Sequence, residues 1–189
     1  MGEFANAFKQ LKSKGYMVLK NKGLEANDLA AWIVGKKEEF NIGDIWLISS
    51  DKDWDLLIRD GVSRFSTVTR KEITIDNWEE HYDVEPDKYL TLKCLAGDTG
   101  DNVPGIAGIG PKRAVSLIEQ YGDLFDIYNA CPIDSKYKFI QSLNENADRL
   151  LLNAELMDLE SYSEQALIEA DMNLEDLSSQ IQEYLNDTD

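Results

Sequence analysis

Three pairs of acidic residues sit close together in the chain, at places where it turns. Asp51 and Asp53 follow an apolar run, Asp98 and Asp101 flank a Thr-Gly dipeptide, and Glu25 and Asp28 lie three residues apart. Carboxylates at i and i+2 just past a strand can point into one crevice, at the edge where open α/β sheets bind ligands. Glu25 and Asp28, near the start of a helical pattern, share a face. Hard oxygen donors without His or Cys suit Mg²⁺ or Mn²⁺ and not zinc. The only histidine, His81, excludes a histidine-rich zinc site. Two ions about 3.5–4 Å apart are the usual device for cleaving phosphodiesters. Taken singly, each pair reads better as a helix cap or a solvated turn. Asp51, Asp53, Asp98 and Asp101 gain weight together, and with the segment that follows them.

That segment is Gly105-Ile106-Ala107-Gly108-Ile109-Gly110-Pro111-Lys112-Arg113-Ala114. Its glycines allow a tight turn between two helices, and Ile106 and Ile109 can plug the turn into a core. Gly108 and Gly110 leave backbone N–H groups at a helix N-terminus, which suits a phosphate. Lys112 and Arg113 in the first helical turn oppose the helix dipole. Their place points to a second grip on a nucleic-acid phosphate. No GxxxxGK[ST] run is present, so this is not a Walker loop. The competing reading is a structural hairpin without a ligand.

These residues need a scaffold. The chain has 189 residues, 43% hydrophobic and 29% charged, enough for one domain, or one domain with a small appendage. Residues 4–14 have helical spacing, 16–19 look like a short strand, and 24–34 read as a helix. The run 45–49 is continuous and apolar, as buried parallel strands are. A helix is expected over 53–58, two strands at 62–69 and 72–75 joined as a hairpin, and an Asp76 cap for the segment after it. Pro86 opens a helix to about residue 96, and another runs over 111–121. Helices follow, with breaks near Pro132, 161–163 and Asn173. Strand–helix alternation first and helices later suggest an α/β layer followed by a helical region.

Charge and thiols narrow the setting. The net charge is −17, yet after Arg149 there is no Lys or Arg, and residues 150–189 carry eleven acids. The first 149 residues hold 19 basic residues against 25 acids, a difference equal to the six candidate metal carboxylates. A local DNA-facing surface is therefore compatible with the composition. Cys94 and Cys131 are far apart with no CxxC, which reads as two free thiols in a reducing cytoplasm. No apolar run is long enough for a membrane helix, and the first sixteen residues lack the apolar core of a signal peptide.

The segments GLEANDLAAWIV, WLISSDKDWDLL, SRFSTVTRKE and LKCLAGDTGDNVPGIAGIGPKRA, in this order, resemble the 5′-nuclease superfamily. The likeness is to phage flap endonucleases and the 5′–3′ exonuclease domain of bacterial DNA polymerase I, from about residue 23 to 159. It implies a PIN-like, partly parallel sheet over residues 1–85. A DNA-binding region with a helix–three-turn–helix follows over 86–160, then an acidic helical tail over 161–189. It implies metal ligation by Glu25, Asp51, Asp53, Asp98 and Asp101, with Asp28 in the catalytic set, and two Mg²⁺ or Mn²⁺ ions. Relatives hold a K⁺ ion in the hairpin. The implied reaction is hydrolysis of a DNA phosphodiester at a 5′ end or flap, in the host cytoplasm if the gene belongs to a phage.

Two departures bear on activity. Where the family reads Glu-X-Asp-Asp, this chain has Glu25-Ala26-Asn27-Asp28, so Asn27 offers the metal a carbonyl oxygen and no charge. The family's front strand, with further aspartates and a basic arch, would lie ahead of residue 1. The expectation is a 5′ nuclease active with a separately encoded N-terminal fragment or, as the weaker arm, alone, with near-background cleavage by this chain by itself. The alternative is a catalytically inactive DNA-binding module, or a gene fragment retaining the hairpin.

Overall fold

The computed structural model describes residues 2–188. Helices α1 (Gly2–Ser13) and α2 (Ala26–Gly35) come first. Strand β1 (Ile45–Ile48), a 3-10 turn (Lys52–Leu57), and strands β2 (Val62–Ser66) and β3 (Lys71–Ile73) follow. After 3-10 turns at Trp78–Glu80 and Pro86–Lys88 come α3 (Tyr89–Ala96), β4 (Gly97–Asp98), β5 (Val103–Pro104) and α4 (Pro111–Tyr121). The rest is helical: α5 (Leu124–Ala130), α6 (Lys138–Glu145), α7 (Asp148–Met157), α8 (Leu159–Glu169) and α9 (Leu174–Thr188). The class is mixed α/β, mostly helical with small sheets, as the strand-then-helix pattern led one to expect.

Two compact units account for the chain, one of residues 43–161 and one of residues up to 42 with 162 onward. This division follows packing. The three segments expected from sequence follow role, and the two do not coincide.

In the larger unit, β1 pairs parallel to β2 with Ile45 opposite Val62, and β2 pairs antiparallel to β3 with Arg64 opposite Ile73. Because side chains alternate, Leu47, Val62, Arg64, Ser66 and Ile73 face inward and are buried. Trp46 and Ile48 face the other way and are 49% and 58% exposed. The expectation of a strand buried on both faces is thus corrected: one face of β1 is covered and one is open. The main core lies under α3, α4, α5, α6 and α7, built from Tyr89, Leu95, Ile118, Ile127, Leu143 and Leu150 among others.

In the smaller unit Trp32, Phe40, Leu167, Leu177 and Ile181 form the core. Residues 16–20 pair with no strand among the described residues, since β propensity alone does not make a ladder. The break expected at 161–163 is absent. The stop falls at Asp158, whose carboxylate accepts the N–H groups of Glu160 and Ser161 at 3.1 and 3.0 Å and so starts α8. Asn173 does cap α9, accepting from Glu175 N–H at 3.0 Å. Asp76 caps nothing; Asn77 and Thr74 bond each other's backbone N–H instead.

Candidate metal centre and the adjoining hairpin

The segment after β1 turns because Asp51 accepts the N–H of Asp53 at 3.0 Å, capping the 3-10 turn. Asp53 then projects from the first residues of that turn. The segment after α3 is built differently. Gly97 (φ +80°) leads into β4, which pairs with β5 so closely that a Cβ on Gly97 would stand 2.2 Å from Gly105 N. Only glycine adopts that backbone and fits that gap. Asp98 accepts the N–H groups of Gly100 at 2.8 Å and Asp101 at 3.4 Å, folding the Asp-Thr-Gly-Asp turn onto its own carboxylate.

These two turns bring Asp53, Asp98 and Asp101 together, with one oxygen of each within 4.8 Å of the others. Asp51 stays exposed, spending an oxygen on its cap. Glu25 and Asp28 form a capping box at the start of α2, with the Glu25 N–H bonded to the Asp28 carboxylate at 3.2 Å. They and Asn27 belong to the smaller unit, while the clustered aspartates belong to the larger.

A residue that sequence reasoning passed over sits among the three aspartates. Lys93 of α3 is 7% exposed, and its Nζ is paired with Asp53 and, at 2.8 Å, with Asp98. Burial works to lower its pKa, but the bonds to Asp53 and Asp98 outweigh that and raise it. Lys93 in turn holds the Asp98 carboxyl below its ordinary value, while hydrogen bonding and repulsion from Asp53 push Asp101 above its own. One ammonium therefore leaves three clustered carboxylates under-compensated. A divalent cation with a preference for oxygen fits the donor set.

Next to this cluster the hairpin enters the core as its sequence suggested. Ile106 and Ile109 are 3% and 4% exposed, and Ile106 N–H bonds Leu95 O at 2.9 Å. Buried Asn153 of α7 donates to Cys94 O at 2.9 Å and Pro104 O at 3.0 Å, tying α3 to the hairpin. Gly110 caps α4 in extended backbone, with nothing within 4 Å of where a Cβ would be. Lys112 is exposed beside it. Arg113 folds back, donating to Gly108 O at 2.5 Å and lying 4.6 Å from the Phe139 ring centroid. A cavity of about 370 Å³, lined by Lys52, His81, Lys93, Asp98 and Pro111, runs from the cluster to the first residue of α4.

The chain belongs to the 5′–3′ exonuclease family: the description 5′–3′ exonuclease, C-terminal SAM fold, matches residues 84–183. It is 42% identical over 147 residues to the flap endonuclease of Escherichia phage T5, covering 77% of this chain and 50% of that one. It thus spans half the length of that relative. A phage T5 protein co-crystallised with metal ions superposes with a TM-score of 0.86 at 36% identity, over 95% of this chain and 66% of that one. The T5 flap endonuclease in a pseudo-enzyme–product complex with DNA and metal ions superposes at 0.83, with 35% identity, over 96% of this chain and 66% of that one. Those neighbours hold metal ions, and the second also holds DNA. Among the described residues no helix is long and apolar enough to cross a membrane.

Proposed function

We propose that this chain supplies the metal-binding and duplex-gripping parts of a structure-specific 5′ nuclease, a 5′–3′ exonuclease or flap endonuclease of replication or repair. The carrying observation is the convergence of Asp53, Asp98 and Asp101 around Lys93, beside the hairpin. Asp53, Asp98 and Asp101 would hold one Mg²⁺ or Mn²⁺. Asp51 is proposed as a further ligand within the larger unit, and Glu25, Asn27 and Asp28 as a separate candidate set within the smaller one. When bound, such ions supply a metal-activated water and charge neutralisation on the phosphate. Gly105, Ile106, Gly108, Ile109, Gly110 and Lys112 form the proposed phosphate grip, whose backbone carbonyls are also the proposed seat of K⁺. Arg113 contributes by bracing Gly108. The substrate is DNA with a 5′ end or flap in the bacterial cytoplasm.

An N-terminal nuclease fragment of the same family is the proposed protein partner. Among the described residues one edge of β1 is unpaired, which supports a further strand there. One observation favours the inactive DNA-binding reading: Lys93 already neutralises part of the cluster. The test is cleavage of a 5′-flap duplex in Mg²⁺ by the chain, alone and mixed with the N-terminal half of the T5 flap endonuclease. Near-background activity alone, a rise in the mixture and its loss in Asp53→Ala support the nuclease. Duplex binding without cleavage in either sample assigns the chain to the binding module.

A further inference from the structure

We infer that Arg64 is a positioning residue for the candidate metal centre: it clamps both ends of the 49–55 segment and so sets the Asp53 carboxylate against Asp98 and Asp101. The inference rests on the metal-binding role proposed above. Arg64 lies on the inner face of β2 and is 3% exposed. Each of its three guanidinium nitrogens donates a hydrogen bond. Nε and Nη2 form a fork on the Asp55 carboxylate, the Nη2 arm at 2.9 Å. Nη1 donates to Ser49 O at 2.9 Å, at the end of β1. Ser49 and Asp55 bracket Asp51 and Asp53, so a single planar group holds the segment on both sides of its metal-facing carboxylate. Tyr82 OH donates to the second Asp55 oxygen at 2.5 Å and fixes that side of the fork.

Stability does not account for this arrangement. A buried ion pair is often no better than apolar residues of the same volume. What the fork supplies is geometric definition, since two parallel bonds set orientation as well as distance. Groups that orient metal-binding side chains matter to the metal even when they never touch it, typically by 10–100-fold in affinity. Lysine at position 64 keeps the charge but cannot reach Asp55 twice and Ser49 once.

The test is titration of the full chain with Mn²⁺, following the free-ion signal by electron paramagnetic resonance, with melting temperature measured alongside. Arg64→Lys is expected to weaken Mn²⁺ binding by about tenfold. Tyr82→Phe keeps the ring and drops one bond to Asp55, and is expected to weaken it by about threefold. Leu143→Ala, in the fully buried core of α6, should lower the melting temperature without changing Mn²⁺ affinity. Should Arg64→Lys not fold, Tyr82→Phe carries the test. Parent-like Mn²⁺ affinity in the folded position-64 and position-82 variants overturns the clamp. If the parent itself binds no Mn²⁺, the metal reading fails, and the clamp is read from hydrogen exchange. The Asp53 amide, bonded to Asp51, then loses protection in Arg64→Lys and not in Leu143→Ala; equal protection in both overturns it.

Discussion

The two segments that feed the carboxylate cluster are held in place by opposite means. Residues 49–57 are held by side chains: the Arg64–Asp55 fork, Tyr82, and the Asp51 cap. Residues 97–105 are held by backbone: Gly97 and Gly105 press two short strands together, and Asn153 ties the result to α7. The difference teaches where each half is fragile. The first should tolerate changes of volume at its rim but not of charge in its core. The second should not tolerate a single methyl added at Gly97 or Gly105.

The largest effect expected is therefore from Gly105→Ala, whose Cβ would stand 2.3 Å from the Ala96 carbonyl carbon. Overpacking against backbone should cost about 3 kcal/mol or more, a fall in melting temperature on the order of 10 °C for a chain of this size. Gly110→Ala, in open space five residues on, meets no clash and should cost only about 0.5–1 kcal/mol, from the poorer N-cap. Equal effects at the two positions would break the backbone half of the comparison.

Lys93→Met comes next. It leaves Asp53, Asp98 and Asp101 without their ammonium, and should cost about 2 kcal/mol in chelator. The thermal gain from saturating Mn²⁺ should then exceed that of the parent, because the ion no longer competes with Lys93. An unchanged gain would mean that the ammonium and the ion do not share the site.

Smaller effects sharpen the account of the hairpin. Arg113→Ala removes a bond to Gly108 and a cation–π contact with Phe139, and should cost about 1 kcal/mol. Lys112→Ala should leave stability alone and weaken duplex binding on all sequences, lowering the salt slope by about 1. A sequence-dependent loss would argue against a backbone grip.

A pH-dependent effect concerns Cys94, a buried thiol under the hairpin. Burial, with the Asp158 charge adding to it, pushes its pKa from 9.0 up to about 12. Above pH 9 the unfolded chain gives up this proton and the folded one keeps it, so stability should fall as pH rises from 9 toward 12. At pH 8 Cys94 should react with a disulfide reagent only on unfolding; prompt labelling of the native chain at Cys94 would contradict its burial.

Much of this was legible in sequence. The strand at 45–49, the helices at 24–34 and 111–121, and the inward Ile106 and Ile109 all follow from periodicity and turn residues. Asp53, Asp98 and Asp101 stood out because acids in turns after apolar runs are spaced for a shared crevice. The residues that hold them did not. Lys93 sits in an apolar helical run, Leu92-Lys93-Cys94-Leu95, where a lone lysine reads as a solvated side chain. Arg64 alternates with Ser63 and Phe65, and nothing local says that the arginine points inward while the serine does not. Both are buried only because a carboxylate distant in sequence, Asp53 or Asp55, meets them in the fold. The strand expected at 16–19 failed for the same reason in reverse: its own residues favour extension, but pairing needs a partner that the sequence does not show.

The central claim is that Asp53, Asp98 and Asp101 form a divalent metal site, and crystals of the chain soaked in Mn²⁺ test it most directly. The account predicts an anomalous peak within coordination distance of all three carboxylates, with the Lys93 ammonium moved off Asp53 to admit the ion. Crystals soaked to saturation that show no peak there, with Lys93 still paired to Asp53 and Asp98, would contradict it.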